Sequence, residues 1–184
     1  MRIVFRSALI LCLGLSSLAF VDPFYGPDDE NVEDTITWYS WDEAMELQKE
    51  NPKKLFIDVY TDWCGWCKRM DKTTFKDKKV AEVMNEHFYA VKFNAEQKES
   101  IKYKDHTLKY LPNAGRRGVH ELAYALLDGR MGYPSFVYLD ENGDRITISP
   151  GYKDAKAIKK ELTFVGEEHY KSKSYDDFSK AYGK

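Results

Sequence analysis

Two cysteines separated by two residues, Cys64 and Cys67, lie in the pentapeptide Trp63-Cys64-Gly65-Trp66-Cys67, directly after an apolar run at 55–60. If the pentapeptide opens a helix, both thiols fall on one face of the first turn, close enough to bridge as a Cys64–Cys67 disulfide. The first thiol then sits over the unpaired amides of the helix start, where the positive end of the dipole favours its thiolate. The second lies one turn further in and is shielded. A thiolate is the species that attacks a disulfide, so this spacing separates an attacking cysteine from a resolving one. Trp63 and Trp66 flank the nucleophile and suit an apolar rim for extended or unfolded polypeptide, with Gly65 between them and the first cysteine exposed to it. Two other uses of the pair compete. One is a zinc half-site completed by His87, His106, His120 or His169; no second CxxC accompanies it and the histidines are scattered, so no metal is expected. The other is an inert structural bridge, but a loop of two residues restrains the unfolded chain little.

The elements that must position this pentapeptide follow from the pattern around it. The run 55–60 has the near-continuous apolar character of a central buried strand. Asp58 lies inside it between Ile57 and Val59; an acid so buried has a raised pKa and suits proton transfer. A helix is predicted from Cys64 to about Phe75, with a kink. Trp41, Ala44, Met45 and Leu47 recur near helical spacing over 41–50, with Ser40 as N-cap and Glu43 three residues later. A further helix fits 78–87 and a strand fits 88–93. The segment 98–111 is polar with spaced Tyr and Leu, 112–115 marks a loop, and 119–127 reads as helix stopped by Asp128-Gly129. The run Gly115-Arg116-Arg117-Gly118 offers two cations to an anion, although such a run is more ordinarily a plain loop. A strand at 135–139, a turn at Asn142-Gly143 and a returning strand at 145–149 form a hairpin. Helices at 155 to about 170 and at 175–182 complete an α/β fold with a parallel centre and an antiparallel hairpin edge.

The chain has 184 residues, 43% hydrophobic and 32% charged, enough for one domain with a core. Lys and Arg number 28 against 30 Asp and Glu, a net charge of −2, which argues against a strongly basic nucleic-acid binder. Residues 1–19 have two cations, Arg2 and Arg6, an apolar run, and small residues Ser17 and Ala19 before a cleavage position: the layout of a secretory signal peptide. The apolar run is short for a membrane span of about 20 residues, though an uncleaved N-terminal membrane anchor is the alternative. Removing 1–19 takes away two positive and no negative charges, moving the net charge to −4, and removes Cys12, leaving only Cys64 and Cys67. Residues 20–36 read as a leader segment and 37–184 as the domain. Export implies oxidising conditions, and the bacterial periplasm is the expected address.

The sequence WCGWCK after an apolar strand resembles the active site of thioredoxin-fold disulfide oxidoreductases, and the resemblance extends over about 37–151. It is similar in particular to exported thioredoxin-like proteins of the thioredoxin-7 type. The resemblance implies a thioredoxin fold, a central mixed β-sheet flanked by helices. It implies that Asp58 helps deprotonate the resolving thiol of Cys67, that Lys92 on the next strand interacts with that acid, and that Tyr133-Pro134 forms the cis-proline turn facing the cysteine pair. Gly-Trp stands between the cysteines where typical thioredoxins carry Gly-Pro. Tyr133 replaces a smaller residue, and an insert of about 98–130, expected to be helical, should pack beside the active site. The implied activity is reduction or exchange of protein disulfides without a cofactor, with a partner thiol protein, in the membrane or free, passing electrons. The competing class is a thioredoxin-fold binding or chaperone module whose cysteines are not essential.

Overall fold

The computed structural model describes residues 35–183. The expected signal peptide, Cys12 and nearly all of the expected leader segment therefore lie outside the described residues. The element order is β1 (Trp38–Tyr39), α1 (Trp41–Glu50), β2 (Lys54–Tyr60), α2 (Gly65–Lys72), α3 (Lys78–His87), β3 (Phe88–Asn94), β4 (Ile101–Tyr103), β5 (His106–Leu108), β6 (Tyr110–Leu111), β7 (Val119–His120), α4 (Glu121–Leu126), β8 (Ser135–Leu139), β9 (Arg145–Pro150), α5 (Ala155–Gly166) and α6 (Tyr175–Ala181). Five strands make one sheet in the order β1-β3-β2-β8-β9. β1, β3 and β2 run parallel, and β8 and β9 antiparallel. This is the mixed sheet of a thioredoxin fold.

β2 is central because its side chains are apolar on both faces, and alternation sends them to two cores. Leu55, Ile57 and Val59 pack with Trp41 and Ala44 of α1 and Leu122 and Ala123 of α4. Phe56 packs with Met70 of α2, Val80 and Met84 of α3, and Ile158 and Leu162 of α5. Asp58 keeps step with Phe56 and so faces the side that α2 covers. α1 begins at the expected capping box: Glu43 N–H donates to Ser40 Oγ at 3.3 Å, and Ser40 N–H donates to Glu43 Oε2 at 2.7 Å. The kink after α2 is a 3₁₀ turn at Thr74–Lys76.

Two segments depart from the sequence reading. The insert is less helical than expected. β4 and β5 pair as one hairpin, β6 and β7 as another, and the only helix of the insert among the described residues is the short α4. Ile101, Tyr103, Thr107 and Leu108 favour extended backbone, and Lys104 makes the tight turn with φ 53°. The expected helix over 119–127 loses its first residues to the β6–β7 pairing. The helix begun at 155 stops at Gly166, after which Glu168 takes a left-handed conformation, φ 59°, and a 3₁₀ turn follows at His169–Lys171.

Candidate active site

Cys64 is the N-cap of α2, and its Sγ accepts the Cys67 N–H at 3.1 Å. The turn that brings the chain out of β2 is closed by Cys64 N–H donating to the Thr61 carbonyl at 3.1 Å. The two sulfurs are bonded, with S–S 2.08 Å and Cα atoms 5.3 Å apart. Both cysteines are buried, at 4% and 2% exposure, whereas Trp63 and Trp66 beside them are 52% and 54% exposed. The sequence therefore places a buried sulfur pair between two open aromatic surfaces, with the exposed Gly65 at the start of the helix between them.

β2, which leads into the pentapeptide, and its neighbour in the sheet, β3, set Asp58 directly opposite Lys92. Lys92 Nζ donates to Asp58 Oδ2 at 2.8 Å and also to Asp71 Oδ1. Asp71 lies four residues after Cys67, on the same face of α2. The Lys92 ammonium also lies over the rings of Trp38, Tyr60 and Phe75, at 5.0, 5.1 and 5.3 Å. Burial pushes the Asp58 carboxyl up, Lys92 pulls it down and Asp71 pushes it up again, leaving its pKa at about 6. Burial works against the Lys92 charge, but the two carboxylates outweigh it and its pKa is raised. Asp58 Oδ1 is buried without a hydrogen-bond partner among the described residues.

The rim is built from distant parts of the chain. The Trp63 indole N–H donates to Glu96 Oε1 at 2.9 Å, and its ring meets Tyr133 edge-on at 5.8 Å between centroids. Trp66 packs on Tyr152 at 5.0 Å, with the Arg69 guanidinium 5.5 Å from the Trp66 ring. The Tyr133–Pro134 peptide bond is cis. Pro134 is buried, and its carbonyl accepts the Gly151 N–H at 2.8 Å, which ties it to the end of β9. Tyr133 is half-buried, and burial, with Glu96 nearby, raises its hydroxyl to about 12. The structure thus brings Trp63 and Tyr133 together, joins Asp58 and Lys92 with Asp71, and sets Trp66 in a separate contact with Tyr152.

Asp71, Glu96 and Tyr152 were not among the residues singled out from sequence. Asp71 had one legible signal, its spacing of four from Cys67; Glu96 and Tyr152 reach the tryptophans only through the fold. Of the histidines, His120 is fully buried. Its Nδ1 accepts the Leu122 N–H at 3.1 Å and so caps α4, while its Nε2 faces the Glu99 carbonyl at 3.1 Å, so both ring nitrogens have backbone partners. Among the described residues, no cluster of three or more His, Cys, Asp or Glu side chains is arranged to hold a metal ion.

The model of the Thioredox_DsbH family, described as a protein of unknown function, DUF255, matches residues 29–164. The chain belongs to this family. Its fold is similar to the solution structure of a candidate disulphide-isomerase from Bacteroides thetaiotaomicron, at 26% identity and TM-score 0.52, covering 76% of this chain and 95% of that one. It is also similar in fold to a thioredoxin-fold protein from Helicobacter pylori, at 20% identity and TM-score 0.54 over 83% and 89% of the two chains. Among curated proteins it is 32% identical over 73 residues to the uncharacterized protein B0495.5 of Caenorhabditis elegans, covering 39% of this chain and 10% of that protein. It is 25% identical over 104 residues to the thiol:disulfide interchange protein DsbD of Actinobacillus pleuropneumoniae, covering 56% and 14%. The chain thus spans about a tenth of the length of these curated relatives. Family, fold and the bridged CxxC pair together support a thioredoxin-fold thiol–disulfide oxidoreductase at the level of the family.

Proposed function

We propose that this Thioredox_DsbH member is itself an active thiol–disulfide oxidoreductase of the cell envelope, acting on protein disulfides. The observation that carries the reading is the buried Cys64–Cys67 bridge at the N-terminus of α2, its first sulfur already accepting a helix amide. In the reduced protein the Cys64 thiolate attacks one sulfur of a substrate disulfide. A Cys64–substrate bond forms, the substrate S–S bond breaks, and the departing sulfur takes up a proton. Cys67, relieved of its proton, then attacks Cys64 Sγ. The Cys64–Cys67 bond forms and the second substrate sulfur leaves as a thiol, so two electrons pass from the pair to the substrate. Asp58 is the proton acceptor for Cys67: its pKa of about 6 suits that exchange near neutral pH, and Oδ1 is the oxygen left to carry the proton. Lys92 holds the other oxygen. Trp63, Gly65, Trp66 and the Tyr133-Pro134 turn receive the substrate strand, and a partner thiol protein re-reduces the pair.

The envelope assignment rests on the signal-peptide layout of 1–19, and N-terminal sequencing of mature protein that begins at Phe20 would support it. For the chemistry, the test is reduction of insulin disulfides by the full chain with a thiol donor. Cys64→Ser abolishes it; retained turnover in that variant overturns the assignment. The exposure of both rim tryptophans would serve a binding module equally well. In that case a Cys64→Ser, Cys67→Ser double variant keeps its cellular role.

A further inference from the structure

On the Trp63 side of the bridge lies a groove of about 910 Å³ that extends beyond the residues assigned to the exchange itself. Its walls include Trp63, Tyr133 and Tyr124, and its rim carries Arg116 and Arg117. It begins one residue from Cys64, at Trp63, whose ring meets Tyr133. The Arg117 guanidinium lies 5.6 Å from the Trp63 ring. Neither arginine is ion-paired among the described residues. Glu96 is the one carboxylate in the lining, and it accepts the Trp63 indole N–H, so the two arginines leave the groove net positive.

The loop that presents the arginines is held in one shape. The Tyr110 hydroxyl donates to the Arg117 carbonyl at 2.5 Å. Gly118 has φ +77°, and a side chain there would overlap the Tyr110 ring. The next residue, Val119, pairs with Leu111. Outside this groove the chain is acidic, with a net charge of −2 overall. General electrostatics therefore repels acidic polypeptide, and attraction for it is local to these two side chains.

We propose that this groove binds the polypeptide segment flanking a substrate's cysteine and selects segments that carry Asp or Glu. The proposal deepens the oxidoreductase reading and takes from it the position of the substrate cysteine. Planar guanidinium groups match carboxylates in a two-pronged geometry that lysine lacks. The aromatic walls supply apolar area for whatever side chains lie between the acids. An extended segment advances about 3.3 Å per residue, so a few residues beyond the cysteine reach the arginines.

The test uses the oxidised full chain and short synthetic peptides of one sequence, with serine in place of cysteine and either an Asp pair or a Lys pair beside it. Binding is followed by tryptophan fluorescence. At low salt the acidic peptide binds about tenfold tighter than the basic one, and the gap closes as salt is added. An Arg116→Glu, Arg117→Glu double variant reverses the preference. Tyr124→Ala, which touches only the aromatic wall, weakens both peptides alike. Equal affinities in the wild-type protein, or a preference unchanged in the double variant, overturn the proposal. The same preparations are assayed on bis(2-hydroxyethyl) disulfide, a small uncharged substrate that does not engage the arginines. Turnover there with no peptide preference removes the groove assignment alone. Peptide preference without any turnover removes the oxidoreductase reading and leaves an acidic-segment binding site.

Discussion

β2 carries a buried charge near each end, and the two are neutralised in opposite ways. At its start Lys54 is buried and its ammonium meets Glu141 at 2.6 Å and Glu168 at 3.0 Å, both carboxylates partly exposed. Four residues on, Asp58 is buried and meets a single ammonium, Lys92, which it shares with Asp71. Burial disfavours both charges. At Lys54 two acids outweigh it and the pKa is raised; at Asp58 a shared cation does not outweigh it, and the pKa climbs to about 6. The shallower of the two keeps a permanent charge, and the more deeply buried one titrates. What decides between them is the depth of burial set against the number of opposite charges each group meets: two carboxylates at Lys54, one ammonium, shared with Asp71, at Asp58.

The largest expected effect comes from removing the shared cation. Lys92→Met fills the aromatic pocket with an apolar chain of similar length but leaves two carboxylates facing each other. Removing one partner of a buried pair costs about 3–5 kcal/mol of stability at about pH 8, and less at about pH 5, where Asp58 takes up a proton instead. Urea unfolding at the two pH values measures this, and equal losses at both would break the comparison.

Asp58→Asn acts in the opposite direction. Between the ordinary value of 3.8 and about 6 the folded chain holds a proton at Asp58 that the unfolded chain has released. Stability therefore falls as pH rises through that window, and the loss is complete above about 6. The asparagine variant lacks this loss. It is more stable than the wild type above about pH 6, by up to about 3 kcal/mol, with the gain vanishing near pH 3.8. Its insulin reduction drops by about a hundredfold and its pH–rate profile loses the inflection near 6, the mark of a missing proton acceptor rather than a damaged fold.

The smallest effect belongs to the other end of the strand. Lys54→Met frees two carboxylates that already reach solvent, so the loss is about 1 kcal/mol and differs little between about pH 5 and 8. A strongly pH-dependent loss there would erase the distinction between the two ends.

The same contrast marks what could be read in the sequence. Local pattern sufficed for β2, for the Ser40–Glu43 box and for the helix opening at Cys64, because each follows from neighbouring residues. Asp58 was legible as a charge inside an apolar run, and Lys92 through the family resemblance. Asp71 offered only its spacing of four from Cys67: between Lys68, Arg69 and Lys72 it reads as one more charge on a solvated helix face, and only the fold brings Lys92 to it. The insert was misjudged because its strands are two or three residues long, and its first hairpin turns at Lys104-Asp105 instead of a glycine or asparagine. His120 was weighed as a metal ligand and is a helix cap, since its partners, Leu122 N–H and the Glu99 carbonyl, are backbone groups that sequence does not label. Glu96 and Tyr152, which fix the two tryptophans, lie 33 and 86 residues from them along the chain.

The hydrogen bond from the Cys67 amide to Cys64 Sγ has a consequence beyond the site. A helix amide holds a full negative charge more strongly than it holds a bridged sulfur. Reduction, which puts that charge on Cys64, is therefore favoured by the fold relative to the same pentapeptide in an unfolded chain. Closing the thermodynamic cycle, the reduced and oxidised proteins differ in unfolding free energy by the amount the fold displaces the pair's midpoint potential, about 1.4 kcal/mol for each roughly 30 mV. The melting curve of this chain, recorded once in each oxidation state, acts as a voltmeter for its own cysteines.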